Sequence, residues 1–205
     1  MDPFSGDSLD GNPARSVHVQ LFTAAYRVSG TTLTRFSRVT DIVNLQPTTH
    51  IVVEAATLTE FGDPAGSIPV PHVLVAIDEV LFLIVVETDA DARPEMRIPK
   101  RPVRAQVALP PFRLLGTVHV APGSRPADGL LNVSDRFVPM TDVSVSCTAH
   151  PEIRVNTPAV ALQRTMAHVI VVEDDEQRDE LLSDVLDERT AKAWLRPEPA
   201  VGSPR

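Results

Sequence analysis

The stretch YRVSGTTLTRFSRVTDIVN, residues 26–44, decides the fold, because the chain follows the same plan again in FRLLGTVHVAPGSRPADGLLN, residues 112–132. The glycines of the two stretches, Gly30 and Gly116, are 86 residues apart, and the aspartates that follow them are 87 residues apart. One residue is therefore inserted in the loop between glycine and aspartate. A similarity that keeps its register in the strands and absorbs slips in loops predicts a duplicated domain.

Each copy predicts the same series of short strands. A pair of alternating strands opens each copy, at 17–34 and at 103–120, and the glycine inside each pair predicts a bulge or a sharp bend. After the polar turn comes an alternating strand, which in the second copy places Val143, Val145 and Cys147 on one face. A last apolar strand or hairpin ends in LIVVE in one copy and in VIVVE in the other. So many short strands are expected to hide their edges, which predicts a small closed or half-closed barrel in each copy.

The composition favours a mainly β protein. Of the 205 residues, 43% are hydrophobic and 22% are charged, which is enough to bury a core. Many of the 19 prolines fall in segments that are not helix interiors, and the scarcity of aromatics predicts a core of branched aliphatic residues. The N-terminal sequence lacks the features of a signal peptide and no apolar run is long enough to span a bilayer, so we expect a cytoplasmic protein. The single cysteine, Cys147, excludes an intramolecular disulfide and is expected to be buried in a strand.

The order of these features resembles an uncharacterised bacterial domain family with a small Sm-like or SH3-like β-barrel. The second copy carries the better match, in GTVHVAPGSRPADGLLN and in FVPMTDVSV. The first copy departs from the pattern, because its turn VTDIVN is one residue shorter between Asp41 and Asn44 and lacks the PGSR segment. The resemblance covers about two-thirds of the chain. It implies a fold and no activity.

The expected fold class is therefore mainly β, with two tandem small Sm-like or SH3-like β-barrels and a C-terminal α-helix. Six segments are predicted: a disordered leader at 1–16, a first β-barrel repeat at 17–87, a linker at 88–103, a second β-barrel repeat at 104–173, an acidic amphipathic helix at 174–196 and a disordered tail at 197–205.

Polar residues of the repeated turn are the candidate ligand-binding residues. They are Arg38, Asp41 and Asn44 in the first copy, and Arg125, Asp128 and Asn132 in the second. In a structural interpretation, Asp41 or Thr40 caps a short helix, Asn44 takes the left-handed conformation that ends it, and Arg38 bonds loop carbonyls or pairs with Asp41. In the other interpretation the turn is a ligand site, since Sm-like barrels bind bases through loop Asp, Asn and Arg side chains. The structural interpretation is favoured, because a duplicated turn needs the same caps twice and aromatic residues for base stacking are scarce.

The segment after residue 173 predicts an amphipathic helix with candidate partner-binding residues. Acidic residues gather at its start and basic residues near its end, as the helix dipole favours. Leu182, Leu186 and Trp194 fall near one face. We expect the part around Leu182 and Leu186 to dock on the chain itself and Trp194 to be available to a partner or a second copy.

Charge and motifs favour a binding module over an enzyme. Of the formal net charge of −8, the chain from Glu173 onward carries −5, so the remainder is a poor electrostatic match for nucleic acid. The six histidines lack metal-ligand spacing, and no nucleotide-binding or nucleophile-elbow motif occurs. We expect no catalytic residues, no metal and no cofactor.

The expected function is a non-enzymatic interaction or assembly module. A protein partner or self-association into homo-oligomers is favoured over nucleic acid, and no membrane partner is expected. Two alternatives remain open: an Sm-like nucleic-acid-binding protein and a small-ligand-sensing regulatory domain.

Overall fold

The alternating apolar pattern forms ten β-strands and two short α-helices in a computed structural model, which describes residues 13–36, 38–86, 100–131 and 133–173. The N-terminal half comprises β1 (Arg15–Phe22), β2 (Tyr26–Thr34), α1 (Val39–Asn44), β3 (His50–Glu60), β4 (Asp63–Ala76) and β5 (Phe82–Val85). The C-terminal half comprises β6 (Arg101–Leu109), β7 (Phe112–Val120), α2 (Pro126–Leu131), β8 (Phe137–Cys147), β9 (Arg154–Gln163) and β10 (Val169–Val172). A three-residue 3-10 helix precedes the last strand of each half, at Ile77–Glu79 and at Arg164–Met166.

All ten strands belong to one antiparallel sheet, which confirms the mainly β expectation. The strand order is β10-β6-β7-β8-β9-β5-β1-β2-β3-β4. In each half the last strand pairs with the first, and the second, third and fourth strands then follow in chain order. The registers therefore define equivalent positions in the two halves. By these registers Val85 is equivalent to Val172, which is 87 residues later. The sequence match of LIVVE with VIVVE has a spacing of 86 residues, so it is out of step with the strand pairing by one residue.

The expected barrels were closed or half-closed, and the closed form is wrong: the strands form one open sheet. One edge of β5 pairs with β1 and its other edge pairs with β9, where Phe82 is opposite Leu162 and Leu83 is opposite Ala161. A strand has only two hydrogen-bonding edges, so β5 has none left with which to close onto β4 of its own half. Within the described part of the chain, β4 and β10 end the sheet.

The predicted segment bounds are partly outside the described residues. β1 begins at Arg15, two residues before the predicted start of the first repeat, and β6 begins at Arg101, three residues before the predicted start of the second. Most of the predicted leader and linker, the predicted helix at 174–196 with Leu182, Leu186 and Trp194, and the tail at 197–205 lie outside the described residues.

Gly30 and Gly116 lie at bulges, as their positions in the sequence predict. The pairing register with the next strand shifts beside each glycine. A Cβ added to Gly30 would lie 2.6 Å from the carbonyl oxygen of Glu54, and one added to Gly116 would lie 2.8 Å from that of Thr141. Only glycine lets the two backbones approach this closely.

The irregular backbone at each bulge continues into the two following strands. Ala55 on β3 and Asp142 on β8 have positive φ angles of 45° and 52°. Pro71 on β4 and Pro158 on β9 stand opposite them, at the positions that the regular pairing skips. Because proline has no N–H, the irregular backbone leaves no strand donor unpaired there.

The apolar faces of the strands form two core clusters that the halves share. The core of the C-terminal half includes five side chains from the N-terminal half: Phe22, Phe61, Leu81, Phe82 and Ile84. The core of the N-terminal half includes Phe137 and Ala161 from the C-terminal half. Cys147 is buried in β8 as a free thiol, as expected. The exchange of core residues makes the two halves one packing unit.

The bulge geometry predicts that Gly30→Ala destabilises the protein by about 1–3 kcal/mol, because its Cβ meets a backbone carbonyl. Gly62→Ala is the matched control, since a Cβ at Gly62 meets no atom within 4 Å and Gly62 lacks a left-handed φ. Denaturant unfolding of both variants measures the difference. Equal stability of the two variants would contradict the bulge assignment.

Candidate functional site

The turn residues of the first half lie in and before α1. Arg38 is the N-cap of this helix, and its carbonyl oxygen accepts the N–H groups of Asp41 at 3.1 Å and of Ile42 at 3.3 Å. Asp41 lies in the first turn, and the Thr40 hydroxyl is 3.4 Å from its Oδ1. The Arg38 side chain does not cap the N-terminus of α1 with a hydrogen bond. The expected cap at Thr40 or Asp41 is therefore wrong, because the N-cap residue lies two or three residues earlier, at Arg38.

The turn residues of the second half lie in and before α2. Pro126 is the first helical residue, where its missing N–H is not needed, and the carbonyl oxygen of Arg125 accepts the N–H of Gly129 at 2.9 Å. Arg125 and Asp128 are exposed. Asn132 lies outside the described residues.

Asn44 connects the two halves of the sheet. Its Nδ2 donates to the carbonyl oxygen of Phe137 at 2.8 Å, and its Oδ1 accepts the N–H of Phe137 at 2.9 Å. Both backbone groups at the start of β8 are thus satisfied by one side chain that lies 93 residues earlier in the chain. The left-handed conformation expected of Asn44 is not found, since the described non-glycine residues with positive φ are Ala55 and Asp142.

Four phenylalanines fill the junction between the halves. The rings of Phe22 and Phe82 stack with centroids 4.4 Å apart. Phe112 of β7 meets Phe22, Phe61 and Phe82 edge-on, at centroid distances of 5.8, 5.4 and 5.1 Å. Sequence reasoning missed this cluster. The available signal was that three of these phenylalanines occupy positions where the other copy has smaller residues.

Polar contacts surround the aromatic cluster. Gln163 donates its N–H to the carbonyl oxygen of Leu81 at 2.9 Å, and its Nε2 donates to the carbonyl oxygen of Asp78 at 3.2 Å. The Asp78 carboxylate forms an exposed ion pair with Arg136. Such an exposed pair contributes less than about 1 kcal/mol, so packing and backbone hydrogen bonds hold the junction.

The two end strands of the sheet expose apolar side chains whose equivalents at the junction are buried. Val169 on β10 is 54% exposed, whereas its equivalent on β5, Phe82, is 0% exposed. Leu74 on β4 is 66% exposed, whereas its equivalent on β9, Ala161, is 0% exposed. The end strands therefore present to solvent the same positions that the junction covers.

A shallow apolar recess of about 360 Å³ lies beside β4. Its lining includes Ala25 and Tyr26 at the β1–β2 turn, Leu58 on β3, and Leu74 and Val75 on β4. The equivalent region of the C-terminal half is not open. There the residue equivalent to Tyr26 is Phe112, which the phenylalanines of the N-terminal half cover.

Comparison with known proteins identifies no relative: no family model matches the chain, and neither a curated protein nor a solved structure matches it significantly. None of the helices within the described ranges is long and apolar enough to cross a bilayer. The described His, Cys, Asp and Glu residues include no group of three or more that could hold a metal ion.

The two hydrogen bonds between the Asn44 side chain and the Phe137 backbone predict that Asn44→Ala lowers the free energy of unfolding by about 1–3 kcal/mol, because the substitution removes the partner of two backbone groups. Asp128→Ala is the control; Asp128 is exposed in the first turn of α2, and we expect a change within about 0.5 kcal/mol. Denaturant unfolding measures both values. The structural role of Asn44 is wrong if its variant is no less stable than the Asp128 variant.

Proposed function

We propose that this chain is a non-enzymatic interaction and assembly module, built from a duplicated small β-unit with Sm-like strand order, which binds its partner through the edges of its sheet. The proposal rests on the apolar side chains that the two end strands, β4 and β10, expose to solvent. The residues at the equivalent positions of β9 and β5, where the two halves meet, are buried. Strand addition at an open edge supplies affinity through backbone hydrogen bonds and specificity through alternate side chains.

The composition of the end strands supports binding at these edges. Val73, Leu74, Val75 and Ala76 complete β4, and β10 consists of valine and isoleucine alone. Proteins that keep an edge solvent-exposed commonly place Lys or Pro on it. The prolines of β4 all lie before Val73, so the backbone donors of Val73–Ala76 are intact.

The charge balance favours a protein partner over nucleic acid. The described residues contain 12 Arg and Lys against 11 Asp and Glu, which is nearly neutral. Affinity for a phosphate backbone depends on neutralisation by many cations, so this balance provides little of it. Backbone pairing and apolar burial at the edges do not need such charge.

The proposal predicts that Leu74→Lys abolishes partner binding, because it places a charge where the partner strand would cover β4. Leu33→Lys is the matched control, since Leu33 on β2 is 67% exposed against 66% for Leu74 but is not on an end strand. The measurement is the stoichiometry of complexes recovered when each variant is purified from the source cells. We expect the parent and Leu33→Lys to recover the same stoichiometric partner, either further copies or another protein.

Loss of that partner by both variants, or retention by both, would contradict binding at β4. A complex that contains nucleic acid in stoichiometric amount and survives Leu74→Lys would contradict the proposal as a whole.

A further inference from the structure

We propose that copies of this chain join head to tail, with β10 of one copy pairing with the β4 edge of the next copy as β5 pairs with β9 inside the chain. The inference rests on the proposed function and names the partner as a second copy. It would extend the internal junction from one chain to the next.

The strand pairings make the two free edges complementary. β10 occupies in the C-terminal half the place that β5 occupies in the N-terminal half, since each is last in its half and pairs with the first strand. β4 likewise corresponds to β9, since each is fourth and pairs with the third strand. Among the described strands, there is therefore one completed junction of this kind and one unpaired edge of each type.

Equivalence also fixes the register of the contact between copies. The pair of Phe82 with Leu162 inside the chain corresponds, between copies, to Val169 of one copy paired with Val75 of the next. The pair of Leu83 with Ala161 corresponds in the same way to Ile170 of one copy paired with Leu74 of the next.

A backbone hydrogen bond transfers in the same way. The bond from the Gln163 N–H to the Leu81 carbonyl becomes one from the Ala76 N–H to the His168 carbonyl. Leu81 and His168 already have equivalent hydrogen bonds within the chain. The Leu81 N–H donates to the carbonyl oxygen of Phe22 at 2.8 Å, and the His168 N–H donates to that of Ala108 at 2.9 Å.

The apolar recess is the part of the surface that such a contact would cover. In the internal junction, Phe22, Phe61 and Phe82 cover Phe112. The next copy would bring their equivalents, which are Ala108, Thr148 and Val169, over Tyr26. A recess with an exposed tyrosine and apolar walls is suited to receive these three small side chains, two of which are apolar.

The contact between copies is weaker than the internal junction. Its apolar side chains are smaller than three phenylalanines, so less apolar area is removed from water. The ion pair of Asp78 with Arg136 is not reproduced either, because the equivalent residues are Thr165 and Thr49. Assembly is therefore reversible and depends on protein concentration.

A head-to-tail contact uses two different surfaces, so an open chain of copies leaves a free β4 at one end and a free β10 at the other. Repetition of such a contact produces a ring if the rotation closes, or a filament if it does not. The proposed assembly is accordingly a ring or a filament of copies joined through one continuous sheet.

The test uses two purified single-cysteine chains in a Cys147→Ala background, one with Val75→Cys and the other with Val169→Cys. Residues 75 and 169 become a non-hydrogen-bonded pair, since the neighbouring pair carries the hydrogen bond, and such pairs bring Cβ atoms close enough for a disulfide. We expect a covalent heterodimer on mild oxidation of the mixture, at least about tenfold more than in a control mixture where Val52→Cys replaces Val75→Cys. The Val52 side chain is exposed, but Val52 lies on β3, which is not an end strand of the sheet.

The mass of the unmodified full chain is measured in parallel over a dilution series. We expect masses above that of one chain which fall on dilution, and a one-chain mass for Leu74→Lys at the same concentrations. The proposal is overturned by a one-chain mass of the parent at every concentration together with heterodimer at the control level. Assembly that appears only after removal of residues 174–205 also overturns it, because that segment would then occupy the edge.

These outcomes separate the inference from the proposed function. If purified chains do not associate but Leu74→Lys loses a different protein recovered from the source cells, the head-to-tail inference is wrong and the module function stands. If Leu74→Lys also retains every partner from the cells, both are wrong.

Discussion

The pairing of β5 with β9 determines how the rest of the molecule is arranged. β5 has four residues, so the pairing itself provides few hydrogen bonds. Four of the seven phenylalanines of the chain pack across it, and burial of each contributes on the order of 1.5–3 kcal/mol. Asn44 adds two hydrogen bonds to the start of β8. Because β5 is held on both edges, the two halves form one open sheet, which β4 and β10 end in the part of the chain that the structure describes.

The junction is asymmetric in its chemistry although the strand pairing of the halves is the same. The N-terminal half supplies the large aromatic side chains, and the C-terminal half has Ala108, Thr148 and Val169 at the equivalent places. A strong contact is therefore formed once within the chain, where the linking chain keeps the halves at high effective concentration. The smaller side chains are left at the ends, where the proposed association between copies would be reversible.

Local features were predictable from the sequence, and long-range ones were not. Gly30 and Gly116 revealed the bulges, because glycine inside an alternating strand has a direct steric meaning. The alternation of Val143, Val145 and Cys147 similarly revealed the buried face of β8. The pairing of β5 with β9 was not predicted, since hydrogen bonding between strands leaves no local pattern. Asn44 was singled out for its residue type, but its partner, 93 residues away, had no signal in the turn itself.

The most direct test of one continuous sheet is a nuclear Overhauser measurement between backbone protons across the junction. Phe82 and Leu162 are a non-hydrogen-bonded pair, because the adjacent Gln163 N–H bonds the Leu81 carbonyl. Their Hα protons then face each other across the strands, and a continuous sheet predicts a strong Hα–Hα cross-peak between these residues. Absence of that cross-peak, with the cross-peaks inside each half intact, would show two separate sheets and contradict the pairing of β5 with β9.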